Sequence, residues 1–387
     1  MAILNRAAEL QAEVSGWRRH LHQNPELMFD VHNTAAFVAQ KLREFGCDEV
    51  VTGIGRTGVV GVIKGAKGLG ETLGMRADMD ALPIKEATGK AYASKTEGKM
   101  HACGHDGHTS MLLGAAKYLA ETRNFAGAVV VIFQPAEEGG GGGNEMVQDG
   151  MMDRFGIDRV YGMHNMPNLA VGAFSIRPGP FFAATDEFNI VITGRGGHAA
   201  MPHSTTDPIV CGASMVQALQ SIASRNVDPL ESIVVSVTKF NAGHAHNVIP
   251  ETAHLAGTIR SLSADIRALG EKRLHEIAGL IAQAHGCRAD IKFRKGYPVT
   301  VNHVVETDIA ATAAADVAGQ NNVDLTVPPL MGGEDFSYML EARPGSMILI
   351  GNGQSAGLHH PEYDFNDEII PIGISYWAKL AENNPLR

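Results

Sequence analysis

The sequence predicts an α/β protein whose mostly parallel sheet carries helices on both faces, interrupted by an inserted α+β domain. Three observations predict it. Between residues 59 and 163, short apolar runs of four to six residues alternate with helical stretches, the pattern of buried parallel strands joined by crossover helices. From about Phe181 the period changes to strict alternation, the mark of strands with one face covered. At 387 residues the chain is also too long for one ordinary core.

Taken in order, residues 3–22 and 33–46 carry apolar side chains at helical spacing. The runs Val59–Ile63, Thr72–Met75, Ala128–Phe133 and Arg159–Met163 are too short for helices, and several are rich in Val and Ile. Thr109–Glu121 is expected to be a helix that starts from an N-cap threonine. Glu187–Thr193, Ser232–Phe240, Thr252–Ile259 and Arg288–Arg294 read as strands, with helices over Asp207–Ser224 and Ser263–His285. Strand–helix–strand–strand–helix–strand is the split-βαβ arrangement of a small α+β domain. Near Tyr297 the helix-rich pattern resumes. The expected division is therefore 1–183 with 296–387 as one domain, and 184–295 inserted into it.

Composition excludes several functions. A net charge of −10 leaves no basic footprint for nucleic acid or an anionic membrane. No apolar stretch reaches the roughly 20 residues that span a bilayer. The first residues form a charged amphipathic helix rather than a secretory signal. Four scattered cysteines, Cys47, Cys103, Cys211 and Cys287, suit a reducing compartment, so a cytoplasmic protein is expected.

The chemistry is concentrated in HACGHDGH, residues 101–108. Cys103 and His105 are two apart, which in an extended turn places a thiol and an imidazole on one side. Those groups bind zinc and other first-row metals rather than Mg²⁺ or Ca²⁺. Polar clusters follow other apolar runs: Arg76–Asp80, Gln134–Glu138 and His164–Asn165. In parallel sheets ligands bind beyond the carboxyl ends of strands. The residues able to hold metal are thus Cys103, His105, Glu138, His164 and one of His359 and His360. Rival readings exist. A thiol hydrolase with Cys103 as nucleophile leaves Glu137, Glu138, His164 and His359 unexplained. A metal- or ligand-binding protein without catalysis has no need of Glu137. Gly139–Gly143 as a phosphate loop lacks the P-loop lysine and any GxGxxG.

The motifs MRADMDALP, MHACGHDGHT, QPAEEGGGG, GMHN, GRGGHAAMPH, HNVIP, GTIRS, GGEDFS and LHHPEYDFND together resemble the M20 metallopeptidase/amidohydrolase family. Within it they are similar to hippurate hydrolases, N-acyl-L-amino-acid amidohydrolases and plant auxin-conjugate hydrolases. The resemblance spans nearly the whole chain. It implies a catalytic α/β domain with an inserted lid that dimerises, and two divalent ions (Zn, Mn, Ni or Co). It implies Cys103 as the ligand bridging both ions, with His105, Glu138, His164 and His359 as the others. His359 is preferred over His360 because the family motif is Leu-His-x-Pro. Glu137 is implied as general base, and His198 as an oxyanion donor reaching the partner subunit's site. Asp80 is expected to orient a ligand imidazole. Asp78 stands where other branches place a histidine ligand. Asn247 and Arg260 resemble the lid residues that hold a substrate carboxylate. The implied reaction is hydrolysis of N-acyl amino acids, with N-acetyl-diaminopimelate deacetylation or dipeptide hydrolysis as alternatives. A homodimer or a dimer of dimers is expected. Phe181, Phe182, Met201 and Met331 are candidate pocket walls whose expected role is core packing.

Overall fold

The protein is seen here as a computed structural model that describes residues 1–384. The expected first domain runs to 387, so its last three residues lie outside the described range. The chain divides into two compact units. The first comprises Met1–Phe181, Val301–Pro328 and Asp335 onward; the second comprises Phe182–Thr300 and Pro329–Glu334.

The first unit is built on an eight-stranded sheet in the order Glu49–Ile54, Gly58–Lys64, Ala128–Gln134, Thr72–Asp78, Arg159–Pro167, Gly345–Gly353, Phe174–Ser175, Val323–Asp324. Its centre is parallel: Thr72–Asp78 pairs in parallel with both Ala128–Gln134 and Arg159–Pro167, and the latter with Gly345–Gly353. Antiparallel pairs flank that centre. Val129, Val131 and Phe133 join a core with helices Asn5–Gln23, His32–Glu44, His105–Thr122, Val304–Ala318 and Ile370–Glu382. The opposite sheet face meets Met146 and Phe336, contributed by shorter segments: a side chain at Gly58 would strike Met146, and one at Gly162 would press on Phe336. Helices therefore cover both faces, and the central strands Thr72–Asp78, Ala128–Gln134 and Gly345–Gly353 are buried along nearly their whole length.

Of this sheet's eight strands the sequence pattern missed four, two of them the two-residue Phe174–Ser175 and Val323–Asp324, and it misplaced one helix start. Glu49–Ile54 is a half-exposed edge strand without a clear apolar period. Gly345–Gly353 is fully buried, and its apolar run of Met347–Ile350 is the signal that was available. The helix expected from Thr109 begins at His105, after Gly104. Thr109 does not cap it, because its hydroxyl donates to the Asp78 carbonyl at 2.7 Å. Strand Arg159–Pro167 also runs past its expected end, so His164 and Asn165 lie inside it rather than after it.

The second unit is an antiparallel sheet in the order Ile233–Ala242, Thr252–Ser261, Ala184–Thr193, Arg288–Lys295. Helices Pro208–Leu219 and Ala264–Ala284 cover one face, over Phe188, Ile190 and Ile192. Helix Pro208–Leu219 starts after Asp207, whose carboxylate accepts from Ile209 N–H at 2.8 Å. A bulge between Val237 and Lys239 breaks the alternation in the edge strand. This unit also takes in Pro329–Glu334, tied by Ala183 N–H to the carbonyls of Leu330 and Gly332 at 3.0 and 2.9 Å. Among the described residues no helix is long and apolar enough to cross a membrane.

Candidate metal centre and active site

The site lies at the carboxyl ends of the adjacent parallel strands Ala128–Gln134, Thr72–Asp78 and Arg159–Pro167. Each segment reaches it by a specific backbone device. Gly104 has φ 93°, and a side chain there would stand 2.2 Å from Asn165 Oδ1. Only glycine makes that turn, and the turn puts Cys103 and His105 on either side of one point. Ala136, at φ 55°, swings Glu137 and Glu138 inward. His359, at φ 62°, is held by its N–H donating to the Ala102 carbonyl at 2.8 Å. Left-handed backbone at non-glycine residues costs about 1–3 kcal/mol and concentrates at functional sites.

The sulfur and ring nitrogens of Cys103, His105 and His164 lie within 4.8 Å of one another, as do the ligand atoms of Cys103, Glu138 and His359. The two trios share the Cys103 thiol. Cys103 Sγ stands 3.4 Å from His164 Nε2, and His359 Nε2 stands 3.4 Å from Glu138 Oε1. Glu137 Oε2 and Glu138 Oε1 are each 3.9 Å from His105 Nε2.

Two imidazoles present the same lone pair for the same reason. His105 Nδ1 donates to the Asp80 carbonyl at 2.8 Å, and His164 Nδ1 to the Asn165 carbonyl at 2.7 Å. A carbonyl only accepts, so both rings carry a proton on Nδ1 and turn Nε2 inward. His105 Nε2 and Glu138 Oε1 are buried with no hydrogen-bond partner. Buried polar atoms without partners are costly, and divalent cations would satisfy them. A thiol, imidazoles and a carboxylate are the donor set of Zn²⁺ and its neighbours, so the residues fit a metal centre.

Burial, then the charges of Glu138 and Glu137, push the Cys103 thiol well above its usual range, so it ionises only beside a cation. Burial, then His108, holds His164 well below the usual imidazole range, which keeps it a neutral ligand. For His105 burial acts downward, but the Asp78 charge and the Asp80 contact outweigh it and raise it to about 10, so a cation binds this ring by displacing a proton from Nε2.

Asp80 meets the His105 imidazole and has a second task besides. Its backbone carbonyl, not its carboxylate, orients His105; the carboxylate is 3.5 Å from Nδ1. The carboxylate instead accepts from the Glu137 and Glu138 amides at 3.0 and 3.2 Å, which fixes the loop that carries both glutamates. Asp78 pairs with Arg76 at 2.8 Å and His108 at 2.7 Å, and its Oδ2 stands 3.6 Å from His105 Nε2. Sequence reasoning gave no individual role to His108, Asn165, Tyr363 or Asp335. His108 contacts Asn165, and Asn165 donates to Tyr363 Oη at 2.5 Å. Asp335 binds Arg76, Gln134 and the Gly143 amide at 3.0, 2.7 and 2.8 Å. The signals were present: His108 belongs to the octet and Asp335 to GGEDFS.

Residues His198, Asn247 and Arg260 belong to the second unit. His198 pairs with Val248 in a two-stranded ribbon, and the exposed Asn247 accepts there from Ala199 N–H at 3.0 Å. The Ala200 N–H donates to His198 Nδ1 at 3.1 Å, which leaves the ring proton on Nε2. Arg260 lies on a different strand, half-buried, and donates to Thr258 Oγ1 at 2.7 Å. Of the candidate pocket walls, Phe181 and Phe182 are buried and Met331 is half-buried. Met201 is 48% exposed and packs in no core, because it sits on the loop that follows the ribbon.

The chain is 44% identical over 382 residues to a hippurate hydrolase of Campylobacter jejuni, covering 98% of this chain and 99% of that one. It is 41% identical to an N-acetyl-L-cysteine deacetylase of Bacillus subtilis, over 95% of this chain and 87% of the relative. A solved Bacillus subtilis structure, described as a dinuclear metal-binding peptidase of the M20 family, superposes with TM-score 0.84 at 33% identity, over 97% of this chain and 98% of that one. The model of peptidase family M20/M25/M40 matches residues 74–383, a span that includes both thiol-sharing trios and Glu137. The chain belongs to that family.

Proposed function

We propose that this metallo-amidohydrolase cleaves the amide bond of N-acyl amino acids, hippurate-like or N-acetylated, with Glu137 as general base. The observation that carries the reading is the pair of ligand trios meeting at Cys103, with Glu137 beside them and the inward atoms of His105 and Glu138 unpartnered. Two divalent ions, when bound, supply Lewis acidity that polarises the amide carbonyl and lowers the pKa of water. The chain's own residues do the rest. Glu137, its backbone held by Asp80, takes a proton from the attacking water on a carboxylate oxygen. It then delivers that proton to the departing amine nitrogen. Glu138 is left to the metal, since neighbouring glutamates divide binding and base work between them. His198 donates its Nε2 proton to the oxyanion, acting in the partner subunit's site. Asn247 and the Arg260 guanidinium hold the substrate carboxylate, Arg260 by a two-pronged contact. The similarity to a hippurate hydrolase and an N-acetyl-L-cysteine deacetylase supports this substrate class.

The test is amine release from N-benzoylglycine, N-acetyl amino acids and N-acetyl-diaminopimelate, with added Mn²⁺ or Zn²⁺ and with a chelator control. Chelator-sensitive release from N-acyl amino acids is expected, and the best substrate identifies the acyl pocket. A protein shown to carry metal that releases amine from none of them overturns the reading.

A further inference from the structure

Glu137 and Glu138 lie on the loop that joins strand Ala128–Gln134 to helix Gly142–Gln148. The Asp80 carboxylate holds the middle of that loop through the two glutamate amides. The ends of the loop come together. The Gly142 N–H donates to the Ala136 carbonyl at 3.2 Å, and a side chain at Gly142 would collide with the Pro135 carbonyl oxygen. One buried carboxylate reaches both ends. Asp335 Oδ1 accepts from Gln134 Nε2 at 2.7 Å, and Oδ2 accepts from the Gly143 N–H at 2.8 Å. Asp335 belongs to the same compact unit as the loop. It also approaches the candidate base, since an oxygen of Asp335 and one of Glu137 lie within 4.8 Å of each other.

The grip is rigid on both sides. Arg76, fully buried, donates from Nη2 to Asp335 Oδ1 at 3.0 Å and from Nε to Gln134 Oε1 at 2.8 Å. Hydrogen bonds between a guanidinium and a carboxylate are strong and directional. On the loop side, a Cβ at Gly143 would stand 2.9 Å from the Asp335 carbonyl oxygen and 3.2 Å from Oδ2, so the two segments meet without slack. Ala136, next to Glu137, is left-handed at φ 55°. Such a residue persists where its surroundings over-determine it, and it lies between the two ends that Asp335 holds.

We infer that Asp335 is a positioning residue for Glu137 and Glu138: by holding both ends of residues 135–142 it sets where the two carboxylates stand and, through Glu138, the affinity for metal. The inference rests on the metal-centre reading above. Two variants attack the grip from opposite sides. In Asp335→Asn the remaining oxygen stays with Arg76 and Gln134, and the new NH₂ faces the Gly143 N–H, donor against donor. Gly143→Ala presses on the same contact from the loop and leaves the Asp335 charge in place for Arg76.

The experiment pairs hydrogen–deuterium exchange of the full chain, read by mass spectrometry, with competition dialysis against Zn²⁺. In both variants the amides of residues 136–143 should exchange about tenfold faster relative to strands Thr72–Asp78 and Arg159–Pro167. Zinc should bind about tenfold more weakly, the scale seen when groups supporting metal ligands are removed. Adding Asp335→Asn to Glu138→Ala should weaken zinc no further than Glu138→Ala alone, because both act through one ligand. Loop exchange that is unchanged, or that rises only in step with the strands, overturns the inference. So does an additive double variant, which would route the effect through Arg76 and Asp78 to His105. A wild-type protein that takes up no zinc overturns the metal-centre reading, and exchange in the loop then still decides whether Asp335 holds it.

Discussion

At the residue scale, Glu137 and Glu138 are neighbours with separate geometries. Glu138 Oε1 stands 3.4 Å from His359 and belongs to the trio with Cys103, while an oxygen of each glutamate stands 3.9 Å from His105 Nε2. The division predicts that Glu137→Gln retains its metal content and loses about 10²–10⁴-fold in turnover, the range for removal of a general base. Metal analysis beside steady-state kinetics checks it, and wild-type turnover would remove Glu137 as the base. His22 makes a second prediction. Burial lowers its pKa, but Asp106 and Glu86 outweigh that and raise it from 6.5 to about 9. A raised folded-state value means that its stabilisation is complete below pH 6.5 and is lost as the pH rises through about 9. Wild type should therefore exceed His22→Gln in stability by roughly 2–3 kcal/mol near pH 6, with the gap closing above pH 9. Thermal melts across that range measure it; a gap independent of pH would show that the histidine acts by packing alone.

At the scale of elements, the start of helix His105–Thr122 decides the site. Gly104 turns the chain at φ 93° directly against Asn165 and Tyr363. Gly104→Ala imposes both backbone strain and overlap, so it should cost at least ~2 kcal/mol and weaken metal binding. Equilibrium unfolding and zinc titration of the variant test this, and wild-type values in both would show that the turn relaxes freely. The same element shows what the sequence concealed. Thr109 has the composition of an N-cap, yet the helix begins four residues earlier, because the Asp78 carbonyl takes its hydroxyl. That partner is remote in sequence and comes near only through the sheet.

At the scale of the whole molecule, the candidate residues are divided between two units: metal ligands and base in one, His198, Asn247 and Arg260 in the other. If His198 serves the partner subunit, mixing His198→Ala with Glu137→Gln chains should restore activity that neither variant has alone. Random pairing into dimers leaves about a quarter of the sites intact, which sets the expected recovery. Proven heterodimers without recovery would place His198 outside the partner's site.

The sequence by itself determined the fold class, the family and which residue types meet. Apolar periodicity depends on local burial, and the motifs carry their chemistry in contiguous side chains such as HACGHDGH. The tertiary structure decided how those residues are used. It gave the orientation of His105 to the backbone carbonyl of Asp80 and made the Asp80 carboxylate the anchor of two glutamate amides as well. It joined Pro329–Glu334 to a unit that the pattern had closed at residue 295, and brought Arg18 against Asp106 and Asp367. These contacts link positions far apart in the chain. They depend on distances and angles that only the packed sheet and its helices define.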